Sequence, residues 1–221
     1  MQNFDQDFFK IAVIVDMQED FMDKEGAALP VPGANEDFID TMNQYLESLT
    51  FENGYVAVVF TADTHNETDY PESAEAKGDE EAGIPGFPPH CYQGTDGFKF
   101  AVTPGNVPND NGTKRFILNK PVFSMWESPK LIVRPYKVEG EMVSVHADRD
   151  RDEFFQGFLD AGIVDVDVVG VASDYCVNWA ISGLVARGFR VTTYDNLVAG
   201  IEKDIYQVVQ ENFPDKDVQI I

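Results

Sequence analysis

Apolar positions along the chain alternate between two patterns. Ile11 to Val15 is a continuous apolar run, β-branched except at Ala12, which predicts a strand buried on both faces. From Asn35 to Leu49 the residues Phe38, Ile39, Met42, Tyr45, Leu46 and Leu49 recur at helical spacing, and Asn35 stands where a helix cap belongs. Tyr55 to Phe60 repeats the buried-strand pattern and Arg115 to Leu118 offers a shorter third run. A helix carrying Phe154, Phe155, Phe158 and Leu159 precedes a fourth run, Val164 to Val171. Cys176 to Arg187 reads as a helix ended by Gly188, and Phe189 to Tyr194 as the strand after it. Ile201 to Phe213 then predicts a last helix and Asp217 to Ile221 a short terminal strand.

Strands and helices in alternation predict an α/β fold, a three-layer α/β/α sandwich around a doubly wound, mostly parallel sheet with right-handed crossovers. With 221 residues, 43% of them hydrophobic, a single domain over residues 1–221 is the expectation. Two segments fit the alternation poorly. One is polar and rich in Glu, Gly and Pro, a lid-like loop over about residues 66–89; the other, an insertion over about 121–149, holds an extra apolar run at Leu131 to Val133.

Charge narrows the partners. A formal net charge of -23 repels phosphate backbones and anionic lipid, so neither nucleic acid nor membrane is expected as a partner. The acidic residues are spread along the chain, with local density at Asp63 to Glu81 and Asp148 to Glu153, as on a solvated surface. No apolar stretch approaches the roughly 20 residues that span a bilayer. Met1 to Lys10 is acidic and aromatic, unlike a secretory leader, and only two cysteines occur, Cys91 and Cys176. A reducing, cytoplasmic setting without disulfides is the expectation.

In an open parallel sheet, ligands collect beyond the carboxyl ends of the strands. There the chain puts Asp16 after the first strand, Asp63 and His65 after the second, Lys120 after the third and Cys176 after the fourth. Each has a plainer explanation alone: a capping carboxylate, a solvated lysine, an inert buried thiol. Together they are an acid, a base, a metal-type pair and a thiol on one edge. A helix N-terminus at Cys176 and the charge of Lys120 would both favour the thiolate. Phe87-Pro88-Pro89-His90 brings a second imidazole on a stiff segment, and three ligands with open positions suit a catalytic divalent ion. His146, without comparable neighbours, reads as an ordinary residue.

Four motifs resemble the cysteine hydrolases of the isochorismatase-like superfamily, whose fold is Rossmann-like. They are Val15-Asp16-Met17-Gln18-Glu19-Asp20-Phe21; Thr61-Ala62-Asp63-Thr64-His65; Phe87-Pro88-Pro89-His90-Cys91 followed by Gly94-Thr95-Asp96-Gly97; and Gly170-Val171-Ala172-Ser173-Asp174-Tyr175-Cys176-Val177. The last looks like the nicotinamidase version. The resemblance implies a nucleophile at Cys176, a general base at Asp16 and a third triad member at Lys120. It also implies a cis peptide before Ala172, so that the amides of Ala172 and Cys176 form an oxyanion hole. A divalent metal, zinc or alternatively iron or manganese, would be held by Asp63, His65 and His90. Glu75 is the candidate fourth ligand and Glu72 the runner-up. Phe21, Phe87 and either Phe123 or Trp126 would flank the ring of a small amide substrate, core packing being the plainer role for these aromatics. The activity implied is amide hydrolysis in the manner of a nicotinamidase, a step of NAD salvage, with a homo-oligomer as the family's frequent state. The same chemistry on another small amide or carbamoyl compound, or an inactive binding protein that keeps the fold, are the alternatives.

Overall fold

The first buried run becomes the centre of the sheet. The computed structural model describes residues 9–81, 83–109, 112–137, 148–214 and 218–221. Along the chain run β1 (Lys10–Val15), α1 (Glu36–Ser48), β2 (Tyr55–Asp63), α2 (Ala74–Lys77), β3 (Lys114–Lys120), β4 (Ile132–Pro135) and β5 (Arg149–Asp150). They are followed by α3 (Arg151–Asp160), β6 (Asp165–Val171), α4 (Asn178–Ala186), β7 (Arg190–Thr193), β8 (Val198–Ala199), α5 (Ile205–Asn212) and β9 (Val218–Ile220). The strand order is β5-β4-β3-β2-β1-β6-β7-β9, with β8 also against β6.

The chain therefore starts in the middle, runs outward through β2 and β3, and returns to build the other half from β6. All pairings from β3 across to β9 are parallel, which requires crossovers over the sheet and gives the doubly wound three-layer fold. β1, flanked by β2 and β6, is buried on both faces: Ile11, Ala12, Val13 and Ile14 expose nothing. The winding reverses between β1 and β6, where an open α/β sheet leaves a crevice beyond its strand ends. Asp16 and Cys176 belong to the two segments that leave this crevice.

Several boundaries differ from the sequence reading. Leu131 to Val133, expected in the insertion, contributes to β4, which pairs antiparallel with β3 on one side and with the two-residue edge strand β5 on the other. Pro135 lies beyond the two residues that β5 pairs, where β4 has β3 alone beside it and a missing amide is tolerated. Cys176 does not start a helix: Ser173–Val177 is a single π turn, in which the amide of Val177 reaches the carbonyl of Ala172 at 3.0 Å, and α4 begins at Asn178. The last helix begins at Ile205 rather than Ile201, because Asp204 and Gln207 form a capping box at its start. Asp217 and His146 lie outside the described residues.

One strand residue breaks the apolar pattern. Asp167, in the middle of β6, is 2% exposed and its Oδ2 accepts hydrogen bonds from Tyr45 (3.0 Å), Tyr55 (2.5 Å), Tyr194 (3.0 Å) and Lys10 (3.2 Å). Those donors come from or beside α1, β1, β2 and β7, so the carboxylate ties four elements together and its burial is compensated. Among the described residues no helix is long and apolar enough to cross a membrane.

Candidate active site

Asp16, Lys120 and Cys176 meet where the strands end. Asp16 takes a left-handed conformation (φ 47°) as β1 stops, and Thr61 holds it: the threonine hydroxyl donates to Oδ1 at 2.6 Å and accepts from the Asp16 amide at 3.2 Å. Gly170 lets β6 pass close by, since a Cβ there would strike the carbonyl of Val15. Lys120, 1% exposed, places Nζ 2.7 Å from Asp16 Oδ2, 3.4 Å from Asp63 Oδ1 and 3.5 Å from Cys176 Sγ. One ammonium thus faces two carboxylates and a sulfur.

Burial would depress Lys120, but Asp16 and Asp63 outweigh it and hold the amine well above its ordinary range. Asp16 is raised, first by burial and then by Asp63, with Lys120 opposing. Burial also pushes the Cys176 thiol well up; Lys120 opposes this, and the carboxylates of Asp16 and Asp63 add to it. Burial thus outweighs Lys120, and the surroundings do not favour the thiolate as the sequence pattern suggests. Burial is the largest reason; Lys120 is shared with two carboxylates that act against it, and no regular helix begins at Cys176.

The metal-type residues converge beside this group. One ligand atom from each of Asp63, His65, Glu75 and His90 lies within 4.8 Å of the others, and all four residues are buried. His65 Nε2 is 3.0 Å from Asp63 Oδ2 and 2.8 Å from Glu75 Oε2; His90 Nε2 is 2.9 Å and 3.5 Å from the same two atoms. Neighbouring ligands of a zinc-sized ion are about 3.4 Å apart in a tetrahedron and about 2.9 Å apart in an octahedron, so the spacing suits such an ion. Glu75 exposes nothing, and neither of its oxygens receives an aligned hydrogen bond. Two buried carboxylates converging on two imidazole nitrogens fit a cation, and the nitrogen and oxygen donors suit zinc, iron or manganese. Glu72 instead lies on the surface with Lys77 at 2.6 Å.

Residues without an assigned role in the sequence reading brace this set. Gln18 accepts from the amide of Asp63 (2.7 Å) and donates to its carbonyl (3.0 Å). His90 Nδ1 donates to the carbonyl of Pro88 at 2.7 Å, which orients the ring so that Nε2 faces Asp63 and Glu75, and the hydroxyl of buried Tyr70 packs 3.2 Å from Nδ1. The phenol of Tyr70 also donates to Phe87 and Pro88 carbonyls, and the Phe87 amide donates to the Glu75 carbonyl at 2.8 Å.

Two outcomes are expected at this site. Glu75→Gln should lower zinc affinity by at least about tenfold and Glu72→Gln should leave it unchanged, while His65→Ala or His90→Ala abolishes retention; metal analysis of the purified variants checks this order. The second concerns protons. Burial lowers both imidazoles, yet Asp63 and Glu75 prevail and raise His65 to about 9 and His90 to about 10. Both rings are then charged at pH 7, and a metal must displace about two protons. Zinc affinity should rise with pH up to that range, with proton release visible by calorimetry in buffers of different ionisation enthalpy. A pH-independent affinity between 6 and 8 would contradict it.

Next to the sulfur lies a narrow cleft lined by Phe21, Phe87, Phe123, Asp63, His90, Ala172 and Cys176. Phe87, Phe123 and Tyr175 stack edge-on or tilted, with centroids 5.1 to 5.9 Å apart. Of the two aromatics weighed for this wall, Phe123 reaches the cleft. Trp126 does not: its indole packs on Phe155, donates to the Ala180 carbonyl at 3.3 Å and lies under Arg187. Tyr175, Leu29, Val31, Val171 and Ile201 also line the cleft and were not foreseen. Only Tyr175 had a local signal, its place beside Cys176. The Val171–Ala172 peptide is cis, as the resemblance implied.

The chain matches no family model. It is 26% identical over 213 residues to the nicotinamidase/pyrazinamidase of Mycobacterium tuberculosis, which spans 95% of this chain and 96% of that protein. The crystal structure of pyrazinamidase of Pyrococcus horikoshii in complex with zinc superposes with a TM-score of 0.62 at 26% identity, over 96% of this chain and 98% of that one. N-carbamoylsarcosine amidase from Thermoplasma acidophilum shares the fold, with a TM-score of 0.59, 18% identity and coverage of 96% and 95%. The fold is that of isochorismatase-like α/β hydrolases. Over nearly its whole length the chain is similar, at 26% identity, to nicotinamidase/pyrazinamidase.

Proposed function

We propose that the protein hydrolyses nicotinamide to nicotinate and ammonia through a thioester on Cys176. At the coarser level it is an amidohydrolase acting on non-peptide C–N bonds. The observation that carries the finer reading is the contact of buried Lys120 with both Asp16 and Cys176, whose sulfur lines a cleft walled by aromatic rings.

In this reading Lys120 holds the acid and the thiol in one geometry, and Asp16, raised by burial, accepts the Cys176 proton as sulfur attacks the amide carbonyl. The amides of Ala172 and Cys176 receive the developing oxyanion. The C–N bond breaks, and protonated Asp16 returns its proton to the departing ammonia. Water then attacks the thioester with Asp16 as base, and the acid leaves from the regenerated thiol. A divalent ion held by Asp63, His65, Glu75 and His90 supplies, when bound, a Lewis acid at the cleft wall. Phe21, Phe87 and Phe123 flank the ring.

The described lining of the cleft contains no lysine or arginine. That favours an uncharged aromatic amide over a carbamoyl amino acid, whose carboxylate would be left unpaired on burial. Ammonia release from nicotinamide, pyrazinamide and N-carbamoylsarcosine tests this order. Preference for the last would move the reading to a carbamoyl amidase, and release from none of a broad amide panel would leave a binding protein.

A further inference from the structure

We propose that Asp174 is a specificity-determining positioning residue that sets the width of the cleft through Ile201. This rests on the amidase reading above, since it concerns the same cleft. Asp174 lies two residues before Cys176, in the π turn, and is not itself among the residues lining the cleft. Its carboxylate instead turns to the segment between β8 and α5. Oδ1 accepts from the amide of Ile201 at 3.0 Å, and Oδ2 accepts from Glu202 at 2.7 Å and Lys203 at 3.2 Å. Three consecutive amides converging on one anion form a charge-assisted clamp, stronger than neutral contacts of the same number.

The clamp has a second strand of support. Ser173, which exposes nothing, donates its hydroxyl to the carbonyl of Lys203. Gly200 is needed for this closeness, because a Cβ there would collide with both the Lys203 carbonyl and the Ser173 hydroxyl. The segment's product is a side chain: Ile201 lines the cleft together with Phe21, Phe87 and Cys176. Asp174 thus joins the turn that carries the nucleophile to the loop that carries an apolar wall, and fixes the gap between sulfur and wall.

A contact that bears on the ring, and not on the reacting carbonyl, acts on ground and transition states alike. Loosening it should raise KM with little change in kcat, and should admit wider rings. The experiment compares the wild type with Asp174→Ala, Asp174→Asn and Ile201→Ala, using nicotinamide and the wider quinoline-3-carboxamide. Hydrogen exchange is followed at the amides of residues 201–203. Asp174→Ala is expected to raise KM for nicotinamide about tenfold with kcat within about threefold. It should also lift the relative kcat/KM for the quinoline and speed exchange at those three amides. Asp174→Asn, which keeps one acceptor oxygen, should fall between, and Ile201→Ala should reproduce the selectivity change without the faster exchange.

A fall in kcat equal to or larger than the rise in KM would overturn the proposal, as would unchanged ring selectivity in a folded Asp174→Ala protein. So would unaltered exchange at 201–203. If the wild type released ammonia from no amide, the functional reading would fail by itself. Binding of the two rings to Cys176→Ala protein, with and without Asp174, then decides the clamp: retained discrimination without Asp174, or binding of neither ring, overturns it.

Discussion

Cys176→Ala should abolish amide turnover, by a factor of at least about 10⁴, in a protein that folds as the wild type does. The side chain is 8% exposed and its sulfur meets Lys120 at 3.5 Å, so the substitution deletes the group placed to attack and little volume. The lost packing costs about 1 kcal/mol, or about 2–4 °C in Tm for a chain of this length. Steady-state ammonia release and thermal unfolding of the same preparation separate the two effects. Cys91→Ala is the companion: Cys91 is fully buried, in a left-handed conformation at φ 49°, and burial pushes its thiol far up. It should retain most activity. Full turnover by Cys176→Ala, or labelling of Cys91 alone by substrate, would end the covalent mechanism as written.

Lys120→Met should be the most destabilising single change at the site. It leaves Asp16 and Asp63 buried without the cation that lies 2.7 and 3.4 Å from them, and breaking a buried pair from one side costs about 3–5 kcal/mol. Activity should fall at least about a hundredfold. The direction of the pH effect also follows. Lys120 lowers both Asp16 and Cys176 against their burial, so without it both rise further and the acid limb of the residual rate moves to higher pH. Denaturant unfolding at pH 7 and a pH–rate profile read the two consequences. Stability within about 1 kcal/mol of wild type would mean that the carboxylates are protonated at rest and that Lys120 is no partner to them.

The parts of the fold legible in the sequence were those in which burial is continuous. Ile11 to Val15 and Tyr55 to Phe60 announce strands with no polar face, and they are the middle of the sheet. β4 was not legible because it is only four residues long and its outer partner is the polar pair Arg149–Asp150, so the two short antiparallel pairings leave no apolar periodicity. Asp167 illustrates the opposite limit: its place in β6 makes sense only once three tyrosines from distant segments surround its carboxylate. At the site, residue types beyond strand ends pointed to Asp16, Asp63, Lys120 and Cys176, which the fold brings together. Glu75 needed the resemblance, since nothing local distinguishes it from Glu72. The cleft walls from Leu29, Val31 and Ile201 had no signal, because loops bring them in from far along the chain. The charge state of Cys176 depends on how many carboxylates share Lys120, which no linear motif encodes.

Asp63 turns one oxygen toward Lys120 at 3.4 Å and the other toward His65 and His90 at 3.0 and 2.9 Å. In the proposed reading, the residues that carry the chemistry and those that would hold a cation therefore draw on one negative charge, and they cannot be tuned separately. By reciprocity, whatever exchanging one ion for another does to proton affinity at the triad, protonating the triad does to ion affinity by the same factor. A redesign that exchanged the ion for its Lewis acidity alone would thereby also shift the pH at which Asp16 and Cys176 exchange their proton.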